Sequence, residues 1–422
     1  MLYAECIDYL NSLGGAIPVA KSGLDNMRAI LHALGQPQRR YPSVLIAGTN
    51  GKGSVATFLS SILVSAGLHT GLYTSPHLVS PDERIAVDGR KVTREGFANC
   101  VSRTAEAIRT LSLPCHPAFF ETLTSAALLH FAEAHVGIAV VEAGMGGRTD
   151  STNIVEPVLS VITPVSIDHQ QYLGRSLEEI AYQKAGIIHR HGTAISAPQR
   201  PEVAAILEQE ATDQEVVLSY ANEAGAVITD CTDGRYRFSF RDQSFEPALL
   251  GRHQVGNAVL ALCAAGILAE MGYPIPPAAL IEGVNRAFIP GRIQRIGDNP
   301  AVFVDGAHND EALAKLVDFV CEHTRRPRAL VFALMADKHL FSSPGRLEQC
   351  FDAIYLTRPS CKRAATREQL LSRFPEGIWI DSPFEAVKIA RRRVETVVIT
   401  GSLYLVGEIL GSGSGPDRQE DY

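Results

Sequence analysis

The chain reads as an α/β protein of two domains: a parallel-sheet domain that opens on a phosphate-binding loop and carries a small β element, followed by a Rossmann-like α/β domain. Three observations predict this. Short apolar runs alternate with longer segments whose apolar residues recur at helical spacing, the signature of a parallel sheet covered by helices. The first such run, Ser43 to Ala47, spills directly into Gly48-Thr49-Asn50-Gly51-Lys52-Gly53-Ser54. The alternation then restarts after Ile289-Pro290-Gly291-Arg292, where proline and glycine side by side mark a boundary.

Taken in order, first-domain strands are expected at Ser43 to Ala47, His69 to Tyr73, Ile138 to Glu142 and Val158 to Ile162. Helices are expected at Val55 to Ala66, Phe120 to His135 and Ser176 to Ala185, the last opening on a serine followed three residues later by Glu179, a capping box. In Val216 to Leu250 the pattern changes: Tyr236, Phe238 and Phe240 alternate with polar residues beside the turn-like Asp230 to Gly234, predicting a small antiparallel β element at the domain edge. A helix from His253 to Met271 and another after Pro274-Ile275-Pro276-Pro277 lead to the boundary. Beyond it, strands are expected at Val302 to Asp305, Ala329 to Leu334, Ala353 to Thr357, Ile378 to Asp381 and Thr396 to Thr400. The division is therefore 1–290, 291–410, and a Gly-, Ser- and charge-rich tail over 411–422 that reads as disordered.

Composition narrows the class. At 422 residues the chain is long enough for two cores. A net charge of −7 argues against nucleic acid as a partner, since phosphate-backbone binders carry a basic field. The eight cysteines form no Cys-x-x-Cys pair and read as reduced thiols of a cytoplasmic protein. Met1 to Leu13 lacks the pattern of a signal peptide, and no apolar run reaches the ~18 residues of a membrane span.

The polar residues at strand ends carry the chemistry. In the glycine-rich loop, backbone N–H groups and the helix start that follows can cradle phosphate, Lys52 supplies a compact charge, and Ser54 can reach a magnesium ion. Glu142 ends a strand and leads into Ala143-Gly144-Met145-Gly146-Gly147-Arg148-Thr149-Asp150, which sets a hard oxygen ligand where α/β sheets bind ligands. Asp168-His169 follows another apolar strand, and Lys184 sits among small residues, where an ammonium is hard to bury unless paired or modified. Asn257 lies one helical turn after His253, so both can face one cleft with Arg292. Asp305-Gly306-Ala307-His308-Asn309 ends the first strand of the second domain, so strand-end polar residues on both domains imply a cleft between them.

These motifs, with Ser75-Pro76-His77-Leu78, Glu83-Arg84-Ile85, Phe120-Glu121 with Thr124, and Thr400-Gly401-Ser402-Leu403-Tyr404, resemble in order and spacing the folylpolyglutamate synthase and bifunctional dihydrofolate synthase/folylpolyglutamate synthase family of the Mur ligase superfamily. The resemblance covers nearly the whole chain. It implies an ATP-dependent ligase that adds L-glutamate to folates, working with ATP and Mg2+ on small-molecule substrates, and a monomer. It further implies that Asn50, Gly51, Lys52, Gly53 and Ser54 hold the ATP phosphates; that Asn257, Arg292 and Asp305 contact the nucleotide; and that Ser54, Glu142 and His169 ligate metal. Lys184 corresponds to a carbamylated lysine and, with Lys52 and His169, to the catalytic set. Phe119, Phe120, Glu121 and Thr122, with Thr149, Asp150 and Ser151, match segments lining the folate pocket, and His308 and Ser402 match the glutamate side. One departure concerns Ala20-Lys21-Ser22-Gly23, which lacks the Asp-Leu that precedes this glycine in bifunctional relatives. It leaves synthesis of dihydrofolate from dihydropteroate open. Two other readings stay open: a nucleotide-dependent switch or scaffold without synthetic activity, and a peptidoglycan-type amino acid ligase, although only Met1 to Pro42 precede the phosphate loop where such enzymes place a further domain.

Overall fold

A computed structural model describes residues 1–13, 23–338, 340, 342–392 and 394–411. The first sheet has eight strands: β1 (Ser43–Ala47), β2 (Thr70–Tyr73), β3 (Ile85–Val87), β4 (Arg90–Lys91), β5 (Ile138–Glu142), β6 (Leu159–Ile162), β7 (Thr193–Ser196) and β8 (Leu218–Tyr220), in the order β4-β3-β2-β5-β1-β6-β7-β8. Six adjoining strands are mutually parallel, and at one edge β3 pairs antiparallel with β2 and β4 antiparallel with β3. All five residues of β1 are buried, which suits a central strand with both faces covered. Its register pairs Ile46 with Glu142 and Ala47 with Ile162. That alignment brings the loops leaving β1, β5 and β6 out together at one end of the sheet.

Two apolar cores cover the two faces. One is built on Leu45, Ala47, Val141, Phe131 and Leu123, the other on Val44, Ile46, Val140, Phe58 and Val259. Adjacent residues of β1 thus feed opposite cores, the period of two expected of a strand. The helices Lys52–Ser65, Phe119–Glu133, Leu177–Ala185 and His253–Glu270 match the expected segments to within three residues at each end. Ser176 makes the expected cap, accepting from the Glu179 N–H at 3.2 Å.

The reading of Val216 to Leu250 as one antiparallel element needs correction. Its first strand, β8, pairs parallel with β7 and extends the main sheet. The separate sheet comprises β9 (Val227–Thr232), β10 (Arg235–Phe240) and β11 (Gln243–Phe245). Alternation of Tyr236, Phe238 and Phe240 does set its buried face, and Phe238 stacks on Phe245 at 5.2 Å between ring centroids. The short apolar run before it carried no pairing signal of its own.

The second large sheet holds β12 (Gln294–Asp298), β13 (Ala301–Val304), β14 (Arg328–Phe332), β15 (Ala353–Leu356), β16 (Ile378–Trp379) and β17 (Thr396–Thr400), in the order β12-β13-β17-β14-β15-β16. Only β12 runs antiparallel. Cores again lie on both faces, around Phe332, Leu330 and Phe319 on one and Val331, Ile399 and Leu405 on the other. The expected tail lies outside the described residues from position 412 onward, as do Ala20, Lys21 and Ser22 of the departing segment. Among the described residues, no helix is long and apolar enough to cross a membrane.

Candidate active site

The phosphate loop is shaped by two glycines. Gly48 has φ +146° and a Cβ there would stand 1.9 Å from Thr163 Oγ1; Gly51 has φ +91° and a Cβ there would stand 2.4 Å from Asn257 Oδ1. Neither position accepts a side chain, for conformation and for space. The loop is held from the β6 side: Thr49 N–H donates to Pro164 O at 2.9 Å, and the Thr49 hydroxyl both donates to Ser166 O and accepts from Ser166 N–H at 3.0 Å. The helix then starts at Lys52, so the first-turn N–H groups, which have no intrahelical partner, point out of the loop. Among the described residues, Lys52 Nζ donates only to Thr49 O, at 3.2 Å.

Beside the loop lies a cleft of about 550 Å³ lined by residues of both domains. Asn50, Gly51, Gly53, Ser54, Asn257, Arg292 and Asp305 all line it. Asn257 Nδ2 donates to Gln254 Oε1 at 2.9 Å, leaving its carbonyl turned to Gly51. Asp305 fastens the start of the second domain to the loop after β13: Oδ2 accepts from Ile293 N–H and Oδ1 from Ala307 N–H, both at 2.8 Å. Burial pushes its carboxyl up, opposed by the nearby Arg292 guanidinium. The far wall contains Tyr236, Lys315, Phe319 and Glu322, which sequence patterns did not single out for a site. Tyr236 Oη donates to Glu322 Oε2 at 3.2 Å, so the small sheet touches the second domain here.

Glu142 sits at the end of β5 with 4% exposure, and its Oε2 accepts from Ser75 N–H at 2.9 Å. A Cβ on Gly53 would stand 3.5 Å from the same oxygen, so the carboxylate faces the first helical turn beside Ser54. Burial raises its pKa, with Lys52 first among the charges opposing the rise. A buried carboxylate beside a serine hydroxyl is a donor set that suits a hard divalent cation. His169 is on the loop after β6, at φ +51°, with Nε2 3.8 Å from Asp168 Oδ2. Among the described residues, no three His, Cys, Asp or Glu side chains gather as a ready metal cluster.

Lys184 is buried and donates to Gly48 O at 2.6 Å. Burial, with the Lys52 charge nearby, pulls its pKa down to about 7. The loop after β5 packs against this helix, with Arg148 N–H donating to Gln183 O at 2.7 Å.

The residues expected in the folate pocket divide. Phe120 packs against Gly144, and Phe119 lies under the Arg84 guanidinium at 5.3 Å, with Arg84 Nε donating to His77 Nδ1 at 3.0 Å. This corner adjoins Ser75 and therefore Glu142. Glu121 caps its own helix through Ala118 N–H at 2.8 Å, and Thr122 is fully buried. Asp150 is occupied locally, accepting from the N–H groups of Met145 and Thr152 at 2.7 and 3.0 Å, with Ser151 buried beside it and Thr149 exposed.

The two domains meet where their strand-end loops face each other. Asn50 Nδ2 donates to Glu311 Oε2 at 3.0 Å, and Asn309 Nδ2 is 3.2 Å from Asn50 Oδ1 and 3.3 Å from Asp168 Oδ2. Lys338 Nζ pairs with Asp168 Oδ1 at 2.7 Å. Burial works against the Asp168 charge, but His169 and Lys338 outweigh it and hold the carboxyl well below the usual range. Asp168, His169, His308 and Lys338 share a second, smaller hollow of about 120 Å³. Ser402 is buried where β17 ends, and Gly401 N–H donates to Ala307 O at 3.0 Å, joining its loop to that of His308. Sequence reading missed Lys338 and Glu311; the only local signal was the position of Asn309 as a helix cap after a strand-end motif, accepting from Ala312 N–H at 2.9 Å.

Comparison with known proteins agrees with this geometry. Residues 46–265 match the Mur ligase middle domain and residues 291–403 the Mur ligase glutamate ligase domain. The chain is 33% identical to the dihydrofolate synthase/folylpolyglutamate synthase of Bacillus subtilis, over 92% of this chain and 94% of that protein. It is 32% identical to the folylpolyglutamate synthase of Lacticaseibacillus casei, over 97% and 98%. The crystal structure of Mycobacterium tuberculosis folylpolyglutamate synthase complexed with ADP and AMPPCP superimposes with a TM-score of 0.87 at 30% identity, covering 98% of this chain and 99% of that one. By sequence, by fold and by the order of its loops, the chain belongs to the folylpolyglutamate synthase and dihydrofolate synthase family of Mur ligases.

Proposed function

We propose that this protein is an ATP-dependent ligase that joins L-glutamate to a folate through an acyl phosphate. The observation that carries the reading is the meeting at Asn50, where the phosphate loop of the first domain is hydrogen-bonded to Glu311 and Asn309 of the second, so that one cleft has a phosphate cradle on one wall and strand-end polar residues on the other. A switch or scaffold has no need of a buried carboxylate and a buried lysine at that junction.

In this reading the triphosphate lies along Gly51 to Ser54 with Lys52 on its charge, and Asn257, Arg292 and Asp305 flank the nucleoside. The folate carboxylate approaches from the Phe119 and Phe120 corner, past Ser75 and Glu142. Its oxygen attacks the γ-phosphorus and ADP leaves; the neutral amine of glutamate then attacks the acyl carbon and phosphate leaves, forming the amide. The chain contributes position and charge neutralisation, since ATP, a carboxylate and glutamate are all anionic. His308 and Ser402, on adjoining loops, present the glutamate. Enclosure between the domains keeps water from the acyl phosphate.

Ser54 and Glu142 are the residues fitted to hold Mg2+, with His169 as a more distant third. When bound, the ion would supply charge neutralisation at the phosphates. Lys184 is proposed to carry a carbamate: the modification requires a neutral amine, and a lysine shifted to about 7 offers one near neutral pH. The working form is a monomer acting on small molecules in the cytoplasm, with neither nucleic acid nor membrane as partner. The test is transfer of labelled L-glutamate to tetrahydrofolate and, side by side, to dihydropteroate. Label in the first substrate is the expected result, label in the second adds dihydrofolate synthesis, and label in neither removes the reading.

A further inference from the structure

Away from the cleft, the second domain holds two thiols in contact. Cys321 lies near the end of the helix Asp310–His323 and Cys350 closes the helix Ser343–Cys350, and their sulfurs are 3.2 Å apart. Cys321 is exposed, whereas Cys350 is 2% exposed. The Arg328 side chain lies under the pair. It is 6% exposed, places NH1 3.9 Å from the Cys350 sulfur, and gives NH2 to the carbonyls of Cys321 at 3.2 Å and Thr324 at 2.6 Å. Its Nε has no hydrogen-bond partner among the described residues, and no carboxylate there pairs with its charge. Asp352, the nearest acid by contact, gives one oxygen to the Arg328 backbone N–H and the other to Arg326. The guanidinium therefore offers a positive charge against the Cys350 sulfur, which can support negative charge that develops there as this cysteine reacts.

We infer that Cys321 and Cys350 form a dithiol that closes to an intramolecular disulfide under a peroxide or a low-molecular-weight disulfide. With a peroxide, the accessible Cys321 thiol gives up its proton and its sulfur takes one oxygen to become a sulfenic acid, while the second peroxide oxygen leaves with that proton as water. The Cys350 sulfur then attacks that sulfur, and its thiol proton leaves with the sulfenic hydroxyl as a second water. In sum two thiols lose two hydrogens and one peroxide becomes two waters. Burial pushes the Cys350 thiol up, with the neighbouring Cys321 adding to the rise and Arg328 opposing it. Cys321, at the surface, therefore reacts first and Cys350 resolves it. Because the helix bearing Cys321 also carries Lys315 and Phe319 to the nucleotide cleft, the bridge would fasten that wall to its neighbour helix.

The experiment exposes the full-length protein to hydrogen peroxide or oxidised glutathione, alkylates free thiols, and maps peptides by mass spectrometry. A linked peptide pair containing Cys321 and Cys350, lighter by about two hydrogens than its reduced parts, is expected. Thiol titration in denaturant should fall from eight to six and return to eight with dithiothreitol. Cys321→Ser and Cys350→Ser should each abolish the linked pair. Eight thiols persisting at doses that oxidise exposed methionine, a bridge between other cysteines or between molecules, or Cys321 advancing to sulfinic acid without pairing would each overturn the inference.

Discussion

Lys184 Nζ donates to the carbonyl of Gly48 at 2.6 Å, so a buried lysine from one helix is fastened to the first residue of the phosphate loop. The contact holds the loop from beneath while keeping the amine near the phosphate cradle. If the amine is carbamylated, Lys184→Ala should lose ligation by about 100-fold, the size expected for a group supporting a metal site, and formate or acetate should restore part of it. NMR with 13C-bicarbonate checks the modification directly: a carbamate signal in the parent protein that is missing from the variant.

The same lysine makes a signed prediction for stability in CO2-free buffer. Its folded pKa of about 7 lies below the ordinary 10.5, so between those values the unfolded chain binds more protons and stability rises with pH. The penalty of burying the ammonium is present in full below pH 7 and is gone above 10.5. Lys184→Met should therefore be the more stable protein at pH 6, by a few kcal/mol at most, with the gap closing as pH rises. Parallel denaturant titrations at several pH values measure it.

Lys52 makes its one side-chain hydrogen bond among the described residues inside its own loop, to Thr49 O at 3.2 Å. Lys52→Ala should leave the melting temperature within about a degree or two while lowering turnover by about 100-fold or more, as removal of a charge that acts on the reacting phosphate does. Near-normal ADP formation by the variant would return the loop to a structural role.

Asp168 and Lys338 join the domains through side chains 11% and 12% exposed. Breaking such a buried pair leaves one charge uncompensated, so Lys338→Met should cost roughly 3 kcal/mol of stability and reduce turnover. Asp168→Asn in the same background should recover much of the stability but not the activity. A double-mutant cycle by denaturant unfolding and steady-state kinetics separates the two effects.

Much of this was legible in the chain. Val44 to Ala47 is uniformly apolar and runs into Gly48, which points to a central buried strand and the loop after it; Ser176 and Glu179 announce a helix start through local hydrogen bonds alone. β8 was misassigned because three residues at a sheet edge carry little periodicity, and the aromatic alternation of β10 drew them into the wrong sheet. The pairs Asn50–Glu311 and Asp168–Lys338 were invisible because each joins loops well over a hundred residues apart, and no local pattern encodes where two domains meet.

The central claim is that ATP is consumed only to join two other substrates. The most direct measurement is ADP release by the purified protein with Mg2+ and ATP, adding a folate alone, L-glutamate alone, and both. Rapid release is expected only with both, and Lys52→Ala should abolish it. Equal release in all conditions, or release that neither substrate changes, would contradict the central claim.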